Sequence, residues 1–368
     1  MRRLDFRHPR GLCPIWVGDG LEGEALDDLA AWASGRTVFV VSAAPVAAAV
    51  GDRLQRTLDT ALASSKRRVD LEVPDGEEAK DVDVATQLWR RMLTAGGKRD
   101  SGLVAIGGGS VGDLGGFVAG TFLRGIEVVQ VPTTLLAQVD ASVGGKTAID
   151  LPEAKNCVGV FHYPHSVLVD TGLCTTLPPA ERRSGLVEAI KMAALLDPAA
   201  LARIEGSLDA LLAGDAAALE PVVAEAIACK LRVVEEDPEE SGFRRVLNFG
   251  HTLAHAIEKA LDFGTLRHGE AVAYGMLFAL RLSRAVGQVE DSFVGRVEKL
   301  LGRLELPPLP ELPVKTLLEA MARDKKATED GILWVLAQGG GKPRLDVRVP
   351  IEEVERELIE FLASTSRS

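Results

Sequence analysis

Between residues 36 and 170 short β-branched runs alternate with longer amphipathic stretches, and this alternation limits the fold more than any other feature of the chain. RTVFVVS is followed by AAPVAAAVGDRLQRTLDTALA, RVDLEV, EEAKDVDVATQLWRRMLTAG, SGLVAIGGG and IEVVQVPTT. Strands alternating with helical patterns imply βαβ units and a parallel sheet. From about residue 178 the period changes, and LARIEGSLDALLAG, LEPVVAEAIACKLRVVEED, GHTLAHAIEKAL and GEAVAYGMLFALRLSRAVG repeat apolar positions at helical spacing. The sequence therefore predicts an α/β chain, with a Rossmann-like N-terminal domain over 1–177 and a mostly α-helical domain over 178–368. GILWVLAQ and PRLDVRVP around GGGK predict a β-hairpin, and 351–363 a closing helix.

Composition removes several function classes. Forty-two Lys plus Arg against 53 Asp plus Glu leave a net charge of −11, with no basic block, so nucleic acid is not an expected partner. A locally basic pocket for an anionic metabolite stays compatible with that charge. The four cysteines, Cys13, Cys157, Cys174 and Cys229, form no CxxC pair, which argues against a disulfide framework and for a reducing, cytoplasmic setting. No apolar run reaches the roughly 18 residues of a membrane span.

SGLVAI leads into Gly107, Gly108, Gly109, Ser110, Val111, Gly112 and Asp113 ahead of a helical LGGFVAGTF. Glycines between a strand and a helix N-terminus let backbone N–H groups approach a phosphate; a tight turn with close helix packing is the alternative. The spacing is not GxGxxG, so any dinucleotide is held by a variant loop. A second turn, Asp75 to Lys80, can grip a ribose or cap a helix through Asp75 and Glu77. In the Gly-rich stretch after Thr133 and Thr134, GGKT imitates a P-loop, but Asp140 stands where the first glycine would be. The ATPase reading fails there, while Lys146, Lys155 and Asn156 in that loop still offer groups to an oxyanion.

Three of the six histidines, His251, His255 and His268, fall within 18 residues. His251 and His255 share a helix face, and Glu188 offers a carboxylate. Two histidines and one glutamate leave an open coordination position, the pattern of a catalytic zinc; spacing alone leaves open which two histidines ligate. Lys191, Lys230, Glu240, Arg244 and Asn248 surround them, and Glu240, Arg244, Asn248 and His251 recur at helical spacing. Val246, Leu247 and Phe249 are interspersed among them, which predicts a buried polar constellation for a multiply charged ligand.

In order along the chain, PDGEEAK, GGGSVGDLGGFVAGTFLRG, QVPTTLLAQVDASVGGKTAID, KNCVGVFHYP, TTLP, GLVEAIK, EESGFRRVLNFGHTLAHAIE, RHGEAVAYGM and RDKK resemble the motifs of the 3-dehydroquinate synthase family. These are sugar-phosphate cyclases of the shikimate pathway, and the motifs span about 74–326. The resemblance implies NAD on the Rossmann-like domain, a divalent metal (Zn2+ or Co2+) on the helical domain, and a homodimer. It implies Glu188, His251 and His268 as metal ligands. It assigns Glu77, Lys80, Gly108, Gly109, Asp113, Thr133, Thr134, Asp140, Lys146, Lys155 and Thr176 to the cofactor. It assigns Asp140, Lys146, Asn156, Lys191, Lys230, Glu240, Arg244, Asn248, His255 and Lys325 of the pair Lys325–Lys326 to substrate and catalysis, with Arg124 reaching the phosphate site of a partner subunit.

The implied reaction takes 3-deoxy-D-arabino-heptulosonate 7-phosphate to 3-dehydroquinate and phosphate through transient oxidation, elimination, reduction and intramolecular aldol closure. The chain departs from the family where Ala43 stands at the end of the first strand in place of an Asp that holds the adenosine ribose; Ala141, Ala148 and Cys157 are smaller departures. Alternatives are a cyclase for sedoheptulose 7-phosphate, which lacks the carboxylate that Arg244 and Lys230 suit, a metal- and NAD-dependent polyol dehydrogenase, and a non-enzymatic paralogue.

Overall fold

The computed structural model describes residues 1–261, 264–287, 289–323, 327–328, 331–338 and 342–365. The chain forms two compact units, Met1–Arg182 with Ala213–Glu239, and Arg183–Leu212 with Glu240–Ser368.

In the first unit the elements are β1 (Arg2–His8), β2 (Gly11–Gly18), α1 (Glu24–Ala33), β3 (Thr37–Ala43), α2 (Ala44–Ala61), β4 (Arg67–Val73), α3 (Val82–Thr94), β5 (Gly102–Gly107), α4 (Gly109–Thr121), β6 (Glu127–Pro132), β7 (Lys146–Leu151), β8 (Ala154–Phe161) and β9 (Ser166–Asp170). Seven of these strands make one sheet in the order β1-β2-β9-β6-β5-β3-β4, parallel except for the edge hairpin β1–β2. The near-continuous apolar runs follow from burial of both faces. Along β3, Phe39, Val41 and Ala43 join Leu88 of α3 and Leu114 of α4 on one face, while Val38 and Val40 join Leu29 of α1 and Leu54 of α2 on the other. β4 lies on one side of β3 and β5 on the other, so the carboxyl ends of β3 and β5 flank the point where strand order reverses. Ligands of open α/β sheets bind at such a point.

Three local expectations are corrected. Residues 77–96 are not one helix: a 3-10 turn over Gly76–Lys80 is followed by Asp81, whose carboxylate accepts from the N–H of Asp83 at 2.6 Å and starts α3. Aspartate satisfies a helix N-terminus better than it continues a helix, so the break falls there. The stretch holding Lys146, Lys155 and Asn156 is not a loop but the antiparallel hairpin β7–β8, paired from Lys146 with Phe161 to Leu151 with Ala154. Residues 2–18, for which no element was predicted, form the β1–β2 hairpin.

The first unit also holds α7 (Ala216–Glu236), although residue 216 lies beyond the change of period at 178. Its apolar side, with Val222, Val223, Ala226 and Ile227 buried, packs on β1 and β2, and the N–H of Arg7 donates to Glu235 at 2.7 Å.

The second unit is mostly helical: α5 (Pro179–Leu196), α6 (Pro198–Ala213), α8 (His251–Ala260), α9 (His268–Ala285), α10 (Asp291–Gly302), α11 (Val314–Arg323) and α12 (Ile351–Thr365), with a small sheet of β10 (Ala327–Thr328), β11 (Gly331–Gln338) and β12 (Lys342–Val349). α9 is its axis, with residues from Gly269 to Ser283 buried on nearly every side. Trp334 and Phe361 pack on Phe278 of α9 with ring centroids 5.6 and 5.4 Å away. The expected β11–β12 hairpin and closing helix are both present.

Candidate functional site

Three helices of the second unit each present one side chain to a common point. Glu188 comes from α5, His251 from the first residue of α8 and His268 from the first residue of α9. One ligand atom from each lies within 4.8 Å of the others, and Nε2 of both histidines is 3.8 Å from Glu188 Oε1. Their outer nitrogens are engaged: His251 Nδ1 lies 3.2 Å from the carbonyl of Phe249 and His268 Nδ1 lies 3.2 Å from Glu258 Oε1. Carbonyl and carboxylate oxygens only accept, so in the neutral form of each ring Nδ1 carries the proton and Nε2 keeps its lone pair.

Glu188 is fully buried, and neither of its carboxylate oxygens accepts a hydrogen bond; Oε2 stands in ion-pair contact with Lys191 Nζ. A buried carboxylate without hydrogen bonds is costly, and a divalent cation held by Glu188 and the two Nε2 atoms relieves it. The donor set of two imidazoles and one carboxylate suits zinc or a similar ion. Burial, and then Lys191, His268 and His255, push His251 well below the usual imidazole value. Burial also pulls His268 down, but Glu258 and Glu188 outweigh it and raise the ring above its usual value. His255 shares the face of His251, with ring centroids 5.4 Å apart, and completes the cluster.

Backbone contacts set the register of these three helices. The N–H of Gly269 donates to Ser184 Oγ at 3.0 Å, and Ser184 lies one turn before Glu188 on α5. A side chain on Gly269 would strike the Ser184 backbone, and one on Gly275 would strike the carbonyl of Gly250, the residue before His251. The start of α9 is further fixed by Glu270, which accepts from the N–H of Arg267 at 2.9 Å.

In the first unit a second cluster gathers at the carboxyl end of β5. Lys80 Nζ lies 3.0 Å from Asp113 Oδ2 and 3.6 Å from both Glu77 and Asp150, and it donates to Asn156 Oδ1. Lys155 Nζ is 3.5 Å from Glu77, and Ser110 Oγ donates to Glu77 at 3.0 Å. The predicted Glu77, Lys80, Asp113, Lys155 and Asn156 are thus brought together. Burial raises the Asp113 carboxyl to about 6, against the opposing pull of Lys80. Gly108 is the N-cap of α4 and supplies no side-chain cap, so the first-turn N–H groups stay available to a phosphate. A Cβ at Gly108 would sit 3.2 Å from the side chain of Thr134, whose neighbour Thr133 donates its N–H to Gly107 at 2.9 Å. Close packing also occurs, within α4, where a Cβ on Gly116 would meet Thr147.

Among the remaining candidates, Lys230 Nζ donates to Asp140 Oδ1 and to its carbonyl, each at 2.6 Å, both residues lying in the first unit. In the second unit Asn248 Nδ2 donates to Glu240 Oε1 at 2.8 Å and Arg244 is buried. These do not share one α-helix, as their spacing suggested: Phe243–Asn248 is a 3-10 helix, and Gly250 at φ 81 turns the chain before His251. Thr176 lies in the 3-10 segment Thr171–Thr176 and donates to the Leu173 carbonyl at 2.9 Å. Arg124 is exposed at φ 69, next to Leu123 at φ 51, and Lys325 lies outside the described residues. A cavity of about 730 Å³ lined by Arg10, Arg36 and Arg99 sits at the amino ends of β3, β5 and β6, the opposite edge of the sheet from the Lys80 cluster. Sequence reasoning missed Glu258, Ser184 and Asp150; the i, i+7 spacing of His251 and Glu258 was the one signal available for the first of these.

A parallel-sheet unit with an uncapped Gly-rich helix start, and a helical unit in which a buried carboxylate faces two partly buried histidines, define a metal-dependent α/β enzyme. The 3-dehydroquinate synthase N-terminal family model matches residues 70–184 and its C-terminal counterpart residues 185–327. The chain belongs to the 3-dehydroquinate synthase family. It is 45% identical over 309 residues to the 3-dehydroquinate synthase of Pelobacter propionicus, covering 84% of this chain and 85% of that one. Among solved structures it is similar to 2-deoxy-scyllo-inosose synthase complexed with carbaglucose-6-phosphate, NAD+ and Co2+, at 25% identity and TM-score 0.87 over 98% of this chain and 99% of that one. It is also similar to 2-epi-5-epi-valiolone synthase from Streptomyces hygroscopicus subsp. jinggangensis 5008 with NAD+ and Zn2+ bound, at 27% identity and TM-score 0.84 over 95% of this chain and 98% of that one.

Proposed function

We infer that this chain is a phosphate-eliminating carbon–oxygen lyase that converts 3-deoxy-D-arabino-heptulosonate 7-phosphate to 3-dehydroquinate, and that it works in the cytoplasm. The observation that carries the reading is the buried Glu188 carboxylate facing two imidazole Nε2 atoms, in a chain of this family. Glu188, His251 and His268 would hold a divalent metal able to polarise the alcohol to be oxidised, and the residues around Gly108 and Lys80 would hold NAD, which would supply a hydride acceptor and donor so that the cycle is redox-neutral.

The chain's own groups bind and orient the substrate. Arg244 and Lys230 pair with the substrate carboxylate, a match for which guanidinium and ammonium are suited. Lys146, Asn248 and His255 neutralise the phosphate as it leaves, and Lys191 stays beside Glu188 at the reacting hydroxyls. A ketone formed one carbon away from the phosphate-bearing carbon's neighbour acidifies the C–H of the carbon between them; an oxygen of the substrate phosphate takes that proton as the C–C double bond forms, the C–O bond to phosphate breaks and phosphate leaves. In the homodimer we adopt, Arg124 of the partner subunit completes the phosphate site.

The test is direct. Purified chain with Zn2+ and a catalytic amount of NAD+ is expected to release phosphate from the heptulosonate phosphate and to form the carbocyclic ketone. Release from sedoheptulose 7-phosphate alone would move the assignment to a sister cyclase, and stoichiometric NADH without phosphate would make the chain a dehydrogenase.

A further inference from the structure

We propose that Glu258 is a positioning residue for the metal centre, holding the His268 ring so that Nε2 faces Glu188; the proposal rests on reading Glu188, His251 and His268 as metal ligands. Glu258 Oε1 lies 3.2 Å from His268 Nδ1 on one side of the ring, and Nε2 lies 3.8 Å from Glu188 Oε1 on the other. The carboxylate can only accept, so it selects the tautomer with a lone pair at Nε2. The second histidine reaches the same tautomer differently, its Nδ1 meeting the neutral carbonyl of Phe249 at 3.2 Å.

The two imidazoles are therefore unequal donors. An anionic partner at the outer nitrogen orients a ligand histidine and makes it more basic toward the metal, whereas a carbonyl mainly orients it. Placement supports the role. Glu258 lies seven residues after His251 on α8, two turns along the same face, so the helix that supplies one ligand also supports the ligand supplied by α9. Its side chain is 11% exposed, so packing restricts its swing.

The experiment uses the full chain and measures Zn2+ affinity by chelator competition and the visible absorption of the Co2+-loaded protein. Glu258→Gln keeps an acceptor and loses the charge; Glu258→Ala loses both. We expect affinity to fall about 10-fold in the first and up to about 100-fold in the second, with an altered Co2+ spectrum in both and apo-protein melting close to that of the parent. Parent-like affinity and spectra in both variants overturn the proposal. So does a variant that melts early while its folded fraction binds Zn2+ as the parent does, because that describes a purely structural residue. A parent chain that fails to bind Zn2+ at all rejects the metal centre itself, a failure distinct from the other two.

Discussion

Asp113 shows how one side chain ties pH to the first unit's cluster. Its carboxyl is raised from 3.8 to about 6, first by burial and against the pull of Lys80. The folded chain thus holds this proton to higher pH than the unfolded chain does. The associated stability is complete below 3.8 and is lost as pH rises through about 6. The displacement corresponds to about 3 kcal/mol, a ceiling because the side chain is still 22% exposed. Melting followed from pH 4 to 7 is expected to show the parent losing stability relative to Asp113→Asn as pH rises, with Glu77 and Asp150 left beside Lys80 in both. Parallel curves would remove Asp113 as the titrating group. At this scale the cluster of three histidines with Glu188 was legible in the string, while the choice of His251 and His268 over His255 as the pair facing Glu188 came from the family resemblance. Glu258 was not, because its contact with His268 joins two helices across a turn, and its i, i+7 spacing places it on the face of His251 without marking His268 as its partner.

Helices and strands were legible where their period was clean, as in β3, β5, β6, α8 and α9. The β7–β8 hairpin was not, since Lys146, Asp150, Lys155 and Asn156 dilute its β-branched residues with polar groups, the last three of which the Lys80 cluster uses. Packing between α8 and α9 was equally invisible, because a glycine contact depends on what is absent. Gly275 lets its helix approach until only backbone separates it from Gly250, and the obstacle to a methyl group there is another backbone rather than a flexible side chain. Gly275→Ala is expected to cost about 2–4 kcal/mol by overpacking, lowering the apparent Tm by roughly 5–10 °C. Because His251 follows Gly250 directly, Zn2+ affinity of the folded fraction should fall as well. A variant with parent-like melting and affinity would mean that the two helices part without consequence for the centre.

At the scale of the molecule, the predicted α/β class holds, and no described helix is long and apolar enough to cross a membrane. The homodimer can be tested by mixing two defective chains. Arg124→Ala and Glu188→Ala are each expected to be nearly inactive. If Arg124 acts across a two-fold interface, equal mixing after reversible dissociation restores about one quarter of parent activity, since half the dimers are mixed and each carries one intact site. No recovery, with subunit exchange demonstrated, would place Arg124 in its own subunit's site. The order of the chain through its two units was not legible, because α7 has the same helical period as its neighbours in sequence and only its packing on β1 and β2 assigns it.

That assignment has a practical side. The backbone passes from one unit to the other at 182, 212 and 239, so neither unit corresponds to a single stretch of gene. A fragment ending at residue 177 would encode every strand of the seven-stranded sheet yet leave Val222, Val223 and Ile227 unavailable to cover its first two strands. It would also lack Lys230, the partner of Asp140. Recombination or truncation between residues 177 and 239 is therefore expected to separate the first unit's sheet from the helix that covers its edge.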